Sequence, residues 1–109
     1  MKSNTIHEEL RREFSRIKDQ IIREFEPEKI ILFGSLAKKG VSLTSDIDLL
    51  IVKDTTLSFK ERMNILYSTI DYRYPTDMLF YTPEEIDRMR KFNPLIKNVL
   101  KEGVCVYEK

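Results

Sequence analysis

Residues 30–35, with the sequence IILFGS, and residues 46–52, with the sequence DIDLLIV, decide how the rest of the chain folds. Each contains a short, continuously apolar run, as is typical of strands that are covered on both faces. The first run ends in a Gly-Ser turn, and the second begins with two carboxylates one residue apart. Burying two such charges without compensation is costly, so the pattern indicates a counter-charge, most naturally a metal ion.

The composition predicts one small globular domain that spans residues 1–109. The net charge of +1 gives no argument for non-specific nucleic-acid binding, although a local basic patch stays possible. We expect a cytoplasmic protein without membrane segments, since no apolar run approaches about 20 residues and the first residues do not resemble a signal peptide. Cys105 is the only cysteine, and we expect it to be a buried, reduced thiol.

The order of the predicted elements indicates an α/β (α+β) fold, with a mixed sheet of about four strands and flanking helices. Capping-box spacing at Thr5, Ser58 and Thr82 predicts three helix starts, and Asn93-Pro94 predicts a fourth. Gly103 is well placed to end the last helix. The predicted strands are residues 29–33, 48–52, 76–81 and an edge strand at 104–107, with a short helical turn at 35–39.

The two carboxylates at the start of the second strand should be neighbours. Side chains alternate across a strand, so Asp46 and Asp48 project to the same face. Like charges this close repel unless divalent cations lie between them, and oxygen-only ligands suit magnesium. Asp77 begins another predicted strand and would join the pair if the two strands are neighbours. Three converging carboxylates could hold two metal ions.

Gly34 and Ser35 supply hydrogen-bond donors, which the carboxylates lack. Glycine lets the backbone approach a ligand closely, and the serine hydroxyl with the following amides can donate hydrogen bonds to phosphate oxygens. Lys38 and Lys39 could neutralise phosphate charge. Each feature alone also has an ordinary explanation, namely a common turn, a capped loop or solvated lysines.

In combination, the strand, the Gly-Ser pair, the ten-residue interval and the Asp-x-Asp strand resemble the signature of the DNA polymerase β-like nucleotidyltransferase superfamily. In length and layout the chain resembles the minimal nucleotidyltransferases (MNT), many of which are MntA-type antitoxins paired with HEPN toxins. The motif-bearing part covers residues 30–81. Relatives often place a glycine five residues after the first, whereas this chain has Lys39 there and Gly40 next.

The resemblance implies a role for each matching residue. Gly34 and Ser35 would contact the phosphates of ATP, and Lys38, which is not part of the motif, could bind them as well because it lies just beyond the pair. Asp46 and Asp48 would bind two Mg²⁺ ions. Asp77 would complete the metal site and help to activate the acceptor hydroxyl.

The resemblance also implies a function, the transfer of AMP from ATP to a protein hydroxyl. The acceptor would be a tyrosine of a HEPN toxin, held in a hetero-oligomer, because 109 residues leave no room for an acceptor domain in this chain. A non-catalytic antitoxin that acts by occlusion is one alternative. A small-molecule nucleotidyltransferase subunit is another, although it would normally need an additional helical domain.

Overall fold

The computed structural model describes residues 2–37 and 46–109, apart from the side chains of residues 2–5 and Ser35. The helices of the described residues are α1 (Lys2–Phe25), α2 (Phe59–Thr69), α3 (Pro83–Met89) and α4 (Pro94–Glu102). The strands are β1 (Lys29–Phe33), β2 (Ile47–Val52), β3 (Thr76–Tyr81) and β4 (Val104–Glu108). A single 3₁₀ turn, Gly34–Leu36, follows β1.

The sheet has the strand order β3-β2-β1-β4. Strand β1 runs antiparallel to both β2 and β4, whereas β2 and β3 are parallel. This is the mixed four-stranded sheet that the sequence predicts. Because β1 is antiparallel to β2, its last residues lie at the same end of the sheet as the first residues of β2 and β3.

Both faces of the sheet are covered by helices. On one face, Ile17 and Ile21 of α1 and Leu66 of α2 form a buried core with strand residues such as Leu49 and Met78. On the other face, Ile86 of α3 and two residues of α4 pack on residues of β1 and β2. The buried residues of this second cluster are Ile31, Leu50, Val52, Ile86, Ile96 and Val99. We call the two faces the α1/α2 face and the α3/α4 face.

Local capping sets three of the helix starts where the sequence predicts them. At Ser58 the hydroxyl accepts from the Glu61 backbone, and the Glu61 side chain accepts from the Ser58 backbone. Thr82 and Glu85 form the same reciprocal pair in front of α3. Asn93 accepts from two backbone N–H groups in the first turn of α4. Each cap satisfies donors that a helix start would otherwise leave exposed.

The predicted cap at Thr5 is wrong, because α1 begins at Lys2 and already includes Thr5. Residues 2–5 contain no proline or glycine, so extending the helix through them costs at most about 0.7 kcal/mol per residue. At its other end α1 stops at Phe25. The sequence predicts this end, because the residue before a proline is pushed out of the helical region. Glu26, directly before Pro27, adopts a φ of 48°, which the sequence does not predict.

The prediction of a buried Cys105 is also wrong, since the thiol is exposed. Strand β4 lies at the edge of the sheet, and the buried cluster beneath α3 and α4 contains no residue of β4.

Gly103 ends α4, as the sequence predicts. Its φ of −71° lies outside the left-handed region, so the backbone conformation is not what requires a glycine. A Cβ there would lie 2.4 Å from the Val99 carbonyl oxygen and 2.6 Å from Cγ2 of Ile31, so close packing requires this glycine.

None of the helices in the described part of the chain has the length and apolar character of a membrane-spanning segment.

Candidate active site

Gly34 turns the chain sharply as it leaves β1. Its φ of 75° lies in the left-handed region, which L-residues with a side chain rarely adopt. The 3₁₀ turn begins at this residue, and the Ala37 N–H donates to the Gly34 carbonyl oxygen. The predicted turn over residues 35–39 therefore begins one residue earlier. The side chain of Ser35 and all of Lys38 and Lys39 lie outside the described residues, so their predicted contacts with phosphate stay predictions.

Asp48 is the second residue of β2 and is only 2% exposed. It pairs in register with Phe33, the residue directly before Gly34. Alternation along β2 places Asp48 on the same face as Leu50 and Val52, which is the α3/α4 face. A buried carboxylate therefore lies next to the glycine turn, as the sequence predicts.

Asp77 is the second residue of β3 and lies directly opposite Asp48 in the parallel pairing of the two strands. Leu79 and Tyr81 of the same strand pack on the α3/α4 cluster, so Asp77 projects to the same face as Asp48. Neighbouring strands are about 4.8 Å apart, which makes the two carboxylates adjacent. Asp77 is exposed, because β3 is an edge strand.

Asp46 lies at the bend that leads into β2 and is half-buried. Its backbone N–H donates to the Pro75 carbonyl oxygen at 2.9 Å, and the N–H of Ile47 donates to the same oxygen at 3.3 Å. One carbonyl group therefore holds the start of β2 against the segment that enters β3. This contact fixes the relative height of the two strands, and with it the register of Asp48 and Asp77.

Tyr67 of α2 also contacts the site, which sequence reasoning missed. Its hydroxyl oxygen accepts from the Met78 backbone N–H at 2.7 Å and lies 3.5 Å from Oδ1 of Asp77. Burial raises the pKa of the Tyr67 hydroxyl, and the nearby Asp77 carboxylate raises it further. Tyr67 follows Met63 by four residues on α2, and this spacing was the one sequence signal that could have placed it on the buried side of the helix.

The donor set suits magnesium in its chemistry. Mg²⁺ is usually held by one or two carboxylates together with waters and substrate phosphates. Asp48 and Asp77 supply two carboxylates on facing positions, and Asp46 is two residues away along the chain. In residues 2–37 and 46–109, however, no three histidine, cysteine or acidic side chains are grouped closely enough to hold a metal ion by themselves. The facing pair is therefore the part of the predicted metal site that the backbone register supports.

Comparisons with known proteins agree with this geometry. The family model described as "Polymerase beta, Nucleotidyltransferase" matches residues 15–109. A comparison with curated proteins gives no significant match. Among solved structures, the chain is similar to a protein from Sulfolobus solfataricus that is assigned provisionally as a nucleotidyltransferase. The two are 25% identical with a TM-score of 0.64, over 94% of this chain and 86% of that one. The family match covers most of the chain and includes all the carboxylates of the site, so the chain belongs to the polymerase β nucleotidyltransferase family.

Proposed function

We propose that this chain is a magnesium-dependent nucleotidyltransferase that transfers AMP from ATP to a tyrosine hydroxyl of a HEPN toxin, and so acts as an antitoxin. The observation that carries the catalytic part of the proposal is the register at one end of the sheet. Asp48 faces Asp77 across β2 and β3, and it pairs with the residue next to Gly34 across β1 and β2.

In the proposed reaction, the acceptor oxygen attacks the α-phosphorus of ATP. A new O–P bond forms, the bond between the α-phosphorus and the bridging oxygen breaks, and pyrophosphate leaves. Asp77 accepts the proton of the acceptor hydroxyl. The left-handed turn at Gly34 lets backbone N–H groups approach the triphosphate closely.

The residues Asp46, Asp48 and Asp77 would hold Mg²⁺, which when bound supplies positive charge to the triphosphate and to the developing charge on the reacting oxygens. Ser35 and Lys38 would add hydrogen bonds and charge to the phosphates. The exposed position of Asp77 suits a large acceptor, because a hydroxyl carried by another protein can reach an exposed carboxylate at the sheet edge. The choice of a HEPN toxin is supported by the resemblance of the motif arrangement to minimal nucleotidyltransferases.

The test is label transfer from ATP labelled at the α-phosphate. The purified chain is incubated with this ATP and Mg²⁺, with and without the protein encoded beside it. We expect label on that protein, and we expect Asp46→Ala and Asp48→Ala to lower the transfer at least about a hundredfold. The matched control is Asp54→Ala, an exposed aspartate just beyond the other end of β2, which should leave transfer unchanged.

Two results would contradict the proposal in different ways. Label transfer that persists in Asp46→Ala and Asp48→Ala would exclude these carboxylates from the reaction. A tight complex without any label would instead support an antitoxin that acts by occlusion. A neighbouring gene for a helical protein with an Arg-x4-His ribonuclease motif would support the choice of acceptor.

A further inference from the structure

A polar cavity of about 330 Å³ lies between the N-terminal half of α1 and the segment that enters β3. It is separate from the carboxylates, because α1 covers the opposite face of the sheet from the one to which Asp48 and Asp77 project. The residues that line the cavity are Glu9, Arg12, Glu13, Arg16, Arg73 and Tyr74.

Both acidic residues of the cavity are already engaged within the protein. The Glu13 carboxylate, whose side chain is 4% exposed, accepts from the Arg16 guanidinium and from the Arg73 backbone N–H. The Glu9 carboxylate accepts from the Tyr74 hydroxyl at 2.9 Å. These contacts hold the wall of the cavity in place.

The arginines are not all engaged in the same way. Arg16 pairs with Glu13 and, at 3.0 Å, with the exposed Asp71 outside the cavity. In the described part of the chain, the guanidinium groups of Arg12 and Arg73 form no ion pair or hydrogen bond. Three arginines against two glutamates also leave the lining with one excess positive charge. The cavity therefore offers two available guanidinium groups. The planar arrangement of N–H donors in a guanidinium group matches the oxygens of a carboxylate or phosphate.

The position of the cavity connects it to the site. Tyr74 forms its wall, and the next residue, Pro75, accepts the backbone hydrogen bonds from Asp46 and Ile47. The triphosphate would lie on the α3/α4 face, with the carboxylates. An anion in the cavity would lie on the α1/α2 side of the same strand ends. One molecule that occupies both positions has to extend around the start of β3, as a protein acceptor can.

We propose that this cavity binds an aspartate or glutamate side chain of the protein acceptor and so orients the acceptor toward Asp77. This inference rests on the proposed function for the identity of the acceptor. The binding of a carboxylate-bearing peptide by the cavity can be measured without any catalysis.

The experiment is a titration of the chain with an N-acetylated tetraglutamate amide at low ionic strength, followed by the NMR signals of the arginine Nε–H groups. We expect saturable shifts for Arg12 and Arg73, and binding at least about fivefold weaker in both Arg12→Gln and Arg73→Gln. Arg73→Gln keeps the backbone N–H that Glu13 accepts, so the wall should stay in place. The matched control is Arg11→Gln, an exposed arginine on the same helix that does not line the cavity, and it should bind like the wild type.

Binding that is absent, or equally strong in both cavity variants, would overturn the inference. Inorganic phosphate forms a second arm, and binding of phosphate without binding of the peptide would assign the cavity to a free phosphate and overturn the acceptor assignment. Failure of the proposed function gives a different pattern. Peptide binding without label transfer would support the cavity and contradict the enzyme, whereas label transfer without peptide binding would contradict the cavity alone.

Discussion

The two ends of the parallel strands β2 and β3 carry different arrangements of charged side chains. Beyond the C-terminal end of β3, Arg62 forms two hydrogen bonds of 2.7 and 2.8 Å with the Glu85 carboxylate, and its side chain is 5% exposed. At the other end, Asp48 and Asp77 have the same sign and face each other. Neither Asp46 nor Asp77 forms an ion pair within the described residues.

This comparison distinguishes charged side chains that stabilise the fold from charged side chains that are suited to binding a ligand. Arg62 also donates to the carbonyl oxygens of Leu57 and Phe80, so the pair joins α2, β3 and α3. The opposite charge of each partner comes from the protein itself. For Asp46 and Asp77 at the carboxylate end, we expect the opposite charge to arrive with the substrate and its metal.

The largest expected effect on stability is at the structural end. Arg62→Ala would leave Glu85 without its ion-pair partner and would remove hydrogen bonds to two carbonyl groups. We expect the free energy of unfolding to fall by about 3 kcal/mol, measured by chemical denaturation. Arg88→Ala is the control, because the Arg88 side chain is 65% exposed and lies 3.8 Å from Glu84, and it should change stability by less than about 0.5 kcal/mol. Equal effects of the two substitutions would contradict the structural role of Arg62.

Acid should weaken the same pair. Hydrogen bonds from Arg62 lower the pKa of Glu85 from 4.5 to about 2. The stabilisation is therefore complete above pH 4.5 and is lost as the pH falls toward about 2. Denaturation at a series of pH values should show this loss in the wild type, and Glu85→Gln should reduce the slope in that window. An unchanged slope in Glu85→Gln would assign the acid sensitivity to other groups.

The backbone at the carboxylate end provides a smaller effect. Gly34→Ala places a side chain at a φ of 75°, so we expect a loss of about 1–2 kcal/mol in the free energy of unfolding. Glu26→Gly is the reverse experiment, because the exposed Glu26 already has a φ of 48°. It should be neutral or stabilising by thermal denaturation. Destabilisation of the same size in both variants would show that the left-handed backbone is not the cause.

The smallest effect is expected at Tyr67. Tyr67→Phe removes the oxygen that accepts from the Met78 N–H, which should cost about 1 kcal/mol of unfolding free energy. It also removes the hydroxyl near Asp77, so kcat for label transfer should fall severalfold while the KM for ATP stays unchanged. Tyr72→Phe is the control, since the Tyr72 ring packs on that of Tyr67 without its hydroxyl contacts. An unchanged kcat would show that the Tyr67 hydroxyl does not contribute to the transfer.

The features that could be predicted from sequence are those set by neighbours along the chain. The caps at Ser58 and Thr82 depend on residues three positions away, and the strands depend on short apolar runs. Once β2 and β3 are known to be neighbours, the alternation of side chains along each strand places Asp48 and Asp77 on the same face. The sequence alone does not show that the two strands are neighbours, so the prediction depends on that condition.

The remaining features depend on contacts between distant elements. Arg62 and Glu85 are 23 residues apart and come from different helices, and Glu13 meets Arg73 across 60 residues. The periodicity of apolar residues along the sequence gives no information about such pairs. Cys105 shows the same limit. Its strand lies at the sheet edge, as the sequence predicts, but its apolar neighbours indicate a buried thiol, and its exposure depends on which part of the strand the helices α3 and α4 cover.

The most direct test of the contrast between the two ends is the change in unfolding free energy on adding Mg²⁺ with a non-hydrolysable ATP analogue. We expect the wild type to gain about 2.7 kcal/mol at roughly one hundred times the Kd, and Glu85→Gln to gain as much. Asp48→Asn and Asp77→Asn should gain almost nothing. If the ligands stabilise all four proteins equally, or do not stabilise the wild type, then the carboxylate end does not bind the metal and nucleotide.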